Sequence, residues 1–282
     1  MSNSKVFVMT GGGTNLVSAI ARRLALTVEE DLHIYAVCFP RNNEDSEELH
    51  APETTKRANC TVIITPVFIT LSNEENDAMK FKEYLLEAHG DQCIDTLMTC
   101  DNYPSSTEAG SYDASQAIEK NYFLNANFIS NFLGLMKYNG RVILLANQQK
   151  RAQKLSVDKK NIYPKCNSSA QVNELLTSEL ETALQSKAAS DTMYPIHCAG
   201  LVALARILSA SYEKDPRNLF FASCDPEFPT ASTQLPCDKY RSNNIEIAVK
   251  TPVYLATEDM DVLMCNNGGF FTRMSPDFWE GG

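Results

Sequence analysis

The chain has 282 residues, 44% of them apolar, with a formal net charge of −10 and an isoelectric point near 5.0. That length and apolar content suffice for one large domain with a buried core and exclude global disorder. The acidity repels phosphate backbones and excludes nucleic acid as the main partner.

Met1–Lys5 leads directly into a strand-like segment, leaving no room for a secretory leader. No apolar run reaches the length of a membrane span. The nine cysteines form no C-x-x-C pair and suit free thiols in a reducing compartment. The sequons at Asn59 and Asn167 then read as chance matches, and the expected location is the cytoplasm.

In chain order, Val6–Met9 reads as a buried strand, and Gly11-Gly12-Gly13 leads into a helix carrying Leu16, Ile20, Leu24 and Leu26. Leu32–Phe39 is a second strand, followed by a polar loop up to about Lys56. Thr61–Ile69 is a third strand and Glu74–Ala88 a helix. Asp95–Met98 is a short fourth strand, and the spacing predicts one long helix over Asp113–Lys137. Asn139-Gly140 turns the chain into the strand Arg141–Ala146, and Asn218–Ala222 is a later one. Such alternation predicts parallel βαβ units in an α/β, doubly wound (Rossmann) sheet, one domain over 1–282.

The 148–193 segment breaks the rhythm, with roughly forty residues where a simple unit takes a short loop. It opens on basic polar sequence and then carries a predicted helix, Gln171–Ser186, with Val172, Leu175, Leu176, Leu180 and Leu184. Such a helical insert is expected over the carboxyl end of the sheet, where these folds bind ligands. Tyr194-Pro195-Ile196-His197-Cys198 follows as the expected first turn of a long apolar helix. The four histidines are far apart in sequence without ligand spacing, so the sequence offers no metal site.

These pieces resemble the short-chain dehydrogenase/reductase family, and within it the monomeric NADPH-dependent carbonyl reductases. The matching residues are Thr10-Gly11 after the first strand, Asn121 in Glu119–Phe123, Gly140-Arg141-Val142, Tyr194, the insert, and the late Thr251–Ala256 and Gly269–Phe271. The resemblance implies a tyrosine phenol that protonates a carbonyl oxygen as hydride arrives from nicotinamide. It also implies a lysine one turn later that lowers the phenol pKa from about 10 and holds the ribose. A strand serine would hydrogen-bond the substrate, and the helix asparagine, Asn121, would order a water beside the lysine.

Matched residue by residue, Tyr194 and Asn121 are kept, Asn147 stands at the serine and Cys198 at the lysine. Cofactor contacts implied by the resemblance fall on Gly11, Gly13, Asn15, Arg41 (for the 2′-phosphate of NADPH) and Thr230. Asn15 and Val17 replace two loop glycines, and Val17 is expected to fill space near the phosphates. Gly12 and Gly13 remain candidates for a nest of amide donors. Thr99-Cys100-Asp101-Asn102 replaces N-N-A-G, the acidic adenine contact gives way to Thr70 or Ser72, and Asp225 and Glu227 add acidity after a later strand.

His197 is three residues from Tyr194 and reads as a helix-end histidine satisfied by backbone or solvent. A Cys198–His197 nucleophile pairing is disfavoured, because adjacent helical residues diverge by about 100°. The expectation is a carbonyl-reductase-like scaffold with impaired chemistry that binds a protein partner or small carbonyl ligand. The alternatives are an NADPH-dependent carbonyl or quinone reductase with a rearranged site, and an NADP(H)-binding sensor without turnover. The resemblance also implies a monomer.

Overall fold

The structure is a computed structural model that describes residues 4–12, 14–39, 53–56, 60–70, 74–100, 118–146, 155–186, 190–226 and 242–277. Its strands are β1 (Lys5–Thr10), β2 (Leu32–Cys38), β3 (Glu53–Lys56), β4 (Thr61–Phe68), β5 (Ile94–Thr99), β6 (Met136–Leu145), β7 (Phe220–Cys224), β8 (Phe270–Thr272) and β9 (Ser275–Asp277). They form one sheet in the order β3-β4-β2-β1-β5-β6-β7-β8-β9. Pairing is parallel from β4 through β8, and antiparallel for the edge strands β3 and β9. The order reverses at β1, so the crevice beyond the carboxyl ends of β1 and β5 is where this architecture receives ligands.

The helices are α1 (Asn15–Thr27), α2 (Glu74–His89), α3 (Leu124–Phe132), α4 (Val157–Ile162), α5 (Ser169–Ser186), α6 (Ser190–Ser211), α7 (Ser242–Ala248), α8 (Lys250–Thr257) and α9 (Met260–Met264). Alternation along the strands splits the core into two layers. Phe7, Met9, Ile143 and Leu145 face Val17, Ile20 and Leu24 of α1 with Val253 and Leu255 of α8. Val6, Val8, Val142 and Leu144 face Phe81 and Leu85 of α2, Phe128 and Phe132 of α3, and Leu201 and Leu204 of α6. Each such side chain contributes roughly 1.5–3 kcal/mol by leaving water. No helix among the described residues is long and apolar enough to cross a membrane.

Several expected boundaries move. The predicted helix over Asp113–Lys137 resolves, from Ile118 on, into a π-helical turn at Glu119–Phe123, then α3, then a 3-10 turn at Leu133–Leu135. Met136 already pairs with Ile94 in the sheet. Apolar spacing ran on because Leu133, Leu135 and Met136 are buried in the same layer as Phe132. The Asn139-Gly140 turn therefore lies inside β6, with Asn139 left-handed at φ 59. The predicted strand over Asn218–Ala222 instead spans Phe220–Cys224, after a left-handed Asn218. Glu53–Lys56, expected within a loop, forms the edge strand β3. Finally, α6 starts at Ser190, which puts Pro195 inside the helix rather than in its first turn.

Candidate active site

The turn between β1 and α1 is held mainly by the chain itself. Gly11 is left-handed at φ 77, a backbone state open to glycine. The Gly12 amide donates to the Val37 carbonyl at 2.9 Å, so it is not the phosphate donor that the glycine run suggested. A Cβ at Gly12 would lie 2.7 Å from the backbone of Ala36 and from Cys38 Sγ, so close approach to β2 accounts for this glycine. Thr14 caps α1, its hydroxyl accepting from the Val17 amide at 3.3 Å. Asn15 is the first residue of the helix. Val17, expected near the phosphates, is 1% exposed and packs into the core layer under α1.

The end of β5 is tied to α3 by a residue that the sequence reading missed. Asn125 accepts from the Thr10 hydroxyl at 2.9 Å and donates to the Cys100 and Asn121 carbonyls at 3.2 and 3.0 Å. The Cys100 amide closes the knot by donating to the Thr10 hydroxyl at 3.0 Å. Thr10, Asn121 and Asn125 are all buried. The signal available was the i, i+4 pair Asn121 and Asn125 in an apolar run. Asn121 sits in the π-helical turn, a form that often marks functional positions. On the far side of that turn, Tyr122 donates to Asn173 of α5 at 2.9 Å.

Helix α6 carries the tyrosine position. Pro195 is its sixth residue and has no amide to return to the Asp191 carbonyl. The backbone of Tyr194 lies in this helix, while its side chain lies outside the described residues. His197 and Cys198 are 0% and 1% exposed, so His197 is a core residue and not a solvated helix end. Contrary to the divergence expected of neighbours, Cys198 Sγ lies 3.5 Å from His197 Nε2. Gly13, Arg41, Ser72, Asp101, Asn102, Asn147, Glu227 and Thr230 lie outside the described residues. Of the two candidates after the third strand, Thr70 donates its amide to Asp77 at 3.1 Å.

Thr99, Leu144 and Ser223 align across β5, β6 and β7. The Thr99 and Ser223 hydroxyls are buried and make no hydrogen bond. Asp225, just past β7, is 2% exposed, and its amide donates to the Phe271 carbonyl at 3.0 Å. The Cys224 thiol is pushed well above its usual pKa, first by burial and then by Asp225 and Cys100.

Within the insert, Val172 and Leu176 of α5 are fully buried, whereas Leu184 is 51% exposed and leaves the predicted stripe. A Cβ at Gly200 would meet Leu176 at 2.9 Å and Tyr122 at 3.0 Å, so α5, α6 and the π turn meet closely there. Arg206 of α6 donates to the Cys166 carbonyl, and Lys159 of α4 pairs with Glu179 of α5. The Tyr163 phenol is buried against this group and its pKa is raised, chiefly by that burial.

No protein-family model and no curated protein matches this sequence. Solved structures do match in three dimensions. Sniffer of Caenorhabditis elegans aligns with a TM-score of 0.58 at 15% identity, covering 98% of this chain and 100% of that one. The 3-alpha-hydroxysteroid dehydrogenase from Pseudomonas sp. B-0831, complexed with NADH, gives 0.60 at 11% identity over 94% of each chain. A short-chain dehydrogenase/reductase from Brucella melitensis gives 0.53 at 16% identity, covering 94% of this chain and 93% of that one. The chain has the short-chain dehydrogenase/reductase fold.

Among the described residues, Cys198 and Val17 depart from what a dinucleotide site of this fold uses, while Gly13, Arg41 and Thr230 lie outside them. Cys198 has neither the charge nor the length to hold a ribose from its core position. The Gly12 amide donates to Val37 of β2 and the Val17 amide to Thr14, and the Val17 side chain packs the core where the glycine-rich pattern has close helix–strand contact.

Proposed function

We propose that the chain is a non-reducing scaffold in the short-chain dehydrogenase/reductase fold, which acts by holding a protein partner or a small carbonyl ligand. The observation that carries this reading is Cys198, a core-buried thiol where the resemblance calls for a lysine. A phenol with an ordinary pKa of about 10 needs a neighbouring cation to serve as an acid near neutral pH. A buried thiol supplies none. Packing of α5 on α6 supports a monomer, because the resemblance implies that relatives pair through the helix face the insert covers. The expected compartment is the cytoplasm.

The test is a fluorescence titration with NADPH, followed by its absorbance in the presence of a quinone. The expected result is neither saturable binding nor oxidation. Binding without oxidation would replace the scaffold by an NADP(H) sensor. NADPH oxidation that disappears in Tyr194→Phe would overturn the proposal in favour of a carbonyl or quinone reductase.

A further inference from the structure

Two histidines that are 56 positions apart meet at the amino-terminal end of the sheet, away from the cleft. His33 of β2 and His89, the last residue of α2, pack edge to face with ring centroids 5.0 Å apart. His89 Nε2 lies 2.7 Å from the hydroxyl of Tyr35, a buried β2 residue on the same face as His33. Tyr35 also packs edge-on against Phe81 and Tyr84 of α2, at 5.5 and 6.0 Å. We propose that His33 and His89 form an acid-sensitive latch, which holds the carboxyl end of α2 on β2 while both rings are neutral and loosens in mild acid.

Burial makes charging this pair unfavourable, while the charged neighbours act in both directions, Asp31 favouring a charge on His33. Asp31, just ahead of β2, is the acidic group that acts on His33, and its Oδ1 is engaged by the Thr61 amide at 2.7 Å. Lys137 of β6 and His33 both oppose a charge on His89. Asp95 of β5 is held by Lys137 at 2.7 Å and Lys5 at 3.4 Å, while Asp91 and Cys93 lie beside that group. The Tyr35 phenol stays protonated, its pKa raised chiefly by burial and further by its hydrogen bond with Tyr84.

In the neutral His89 tautomer whose Nε2 carries no proton, the Tyr35 hydroxyl donates to Nε2. Once Nε2 carries a proton, that bond survives only if Tyr35 turns its own proton toward another acceptor. Two adjacent imidazolium rings then repel each other across 5.0 Å.

Burial is the first cause lowering the pKa of both rings below the ordinary 6.5. The folded chain therefore binds these protons more weakly than the unfolded chain. The pair's contribution to stability is complete above pH 6.5 and declines as pH falls from there through the lowered folded values.

The test is thermal melting of the full chain at pH 7.5 and 5.5, beside His33→Gln, His89→Gln and the double variant. The midpoint of the unaltered chain should fall by about 5 °C more than that of the double variant. Equal falls would overturn the latch. If the variants do not fold, NMR titration of the four histidine rings in the unaltered chain decides. Two rings must titrate below 6.5, and ordinary or raised values for all four would overturn the proposal.

Discussion

At the amino-terminal end of the parallel strands, Asp95 accepts from the Val6 amide at 2.9 Å and faces the ammonium groups of Lys137 and Lys5. At the carboxyl end, the buried polar groups among the described residues are hydroxyls, amides, thiols and an imidazole, with Asp225 as the acid. Both ends satisfy the backbone, but by different means. One uses charge pairs that bind strand to strand; the other uses the neutral knot of Thr10, Cys100 and Asn125. A reductase needs its cations at the carboxyl end, beside a diphosphate and a phenol. Among the described residues, Lys5 and Lys137 pair with Asp95 at the opposite end of the sheet, Lys159 pairs with Glu179 between α4 and α5, and the exposed Lys80 pairs with Asp77 within α2.

That contrast breaks first at the β1–α1 turn, if the turn can yield. Gly12→Ala puts a Cβ 2.7 Å from the Ala36 backbone, a contact that no side-chain rotation relieves. We expect a loss of about 3 kcal/mol, read as a midpoint lower by about 6–12 °C in thermal denaturation. A near-neutral result would mean an adaptable loop, as a ligand-binding turn requires. Asn125→Ala comes next, removing the acceptor of the Thr10 hydroxyl and the donor to the Cys100 and Asn121 carbonyls. The cost should be about 2 kcal/mol by denaturant titration, and a negligible cost would show that the knot is not structural.

Such knots mark where the sequence stopped being informative. The sheet was legible because Val6–Met9, Leu32–Phe39 and Thr61–Ile69 are short β-branched runs separated by helical spacing, a local property. The start of β6 at Met136 was not legible. The same apolar residues serve a helix or a turn onto the sheet, and only pairing with Ile94 decides. Site residue types could be read, but their directions could not. Val17 turns into the core because Phe7, Met9 and Ile20 leave apolar space there. His33 and His89 meet through the β2–α2 packing, which no spacing rule anticipates.

The charged end offers a smaller test. Asp95→Asn keeps an acceptor for the Val6 amide but removes attraction for Lys137 and Lys5, whose side chains are 34% and 40% exposed. Solvent screening limits the effect to about 1.5 kcal/mol, and added salt should shrink it. A salt-independent loss would mean that hydrogen-bond geometry, rather than charge, holds this end of the sheet.

The smallest expected effect falls on the residue on which the proposed function rests. Cys198→Ala removes one buried sulfur from α6, and with it the contact at 3.5 Å to His197 Nε2. If the thiol only fills space, the cost is about 1 kcal/mol, comparable to losing one core methyl group. Neither the pH dependence of unfolding nor the response to NADPH should then change. A much larger loss, or a new dependence on pH, would mean that the thiol and imidazole act as a coupled pair. Cys198 would then have gained a chemical role in place of the lysine's, and the carboxyl end would be a rebuilt site rather than an emptied one.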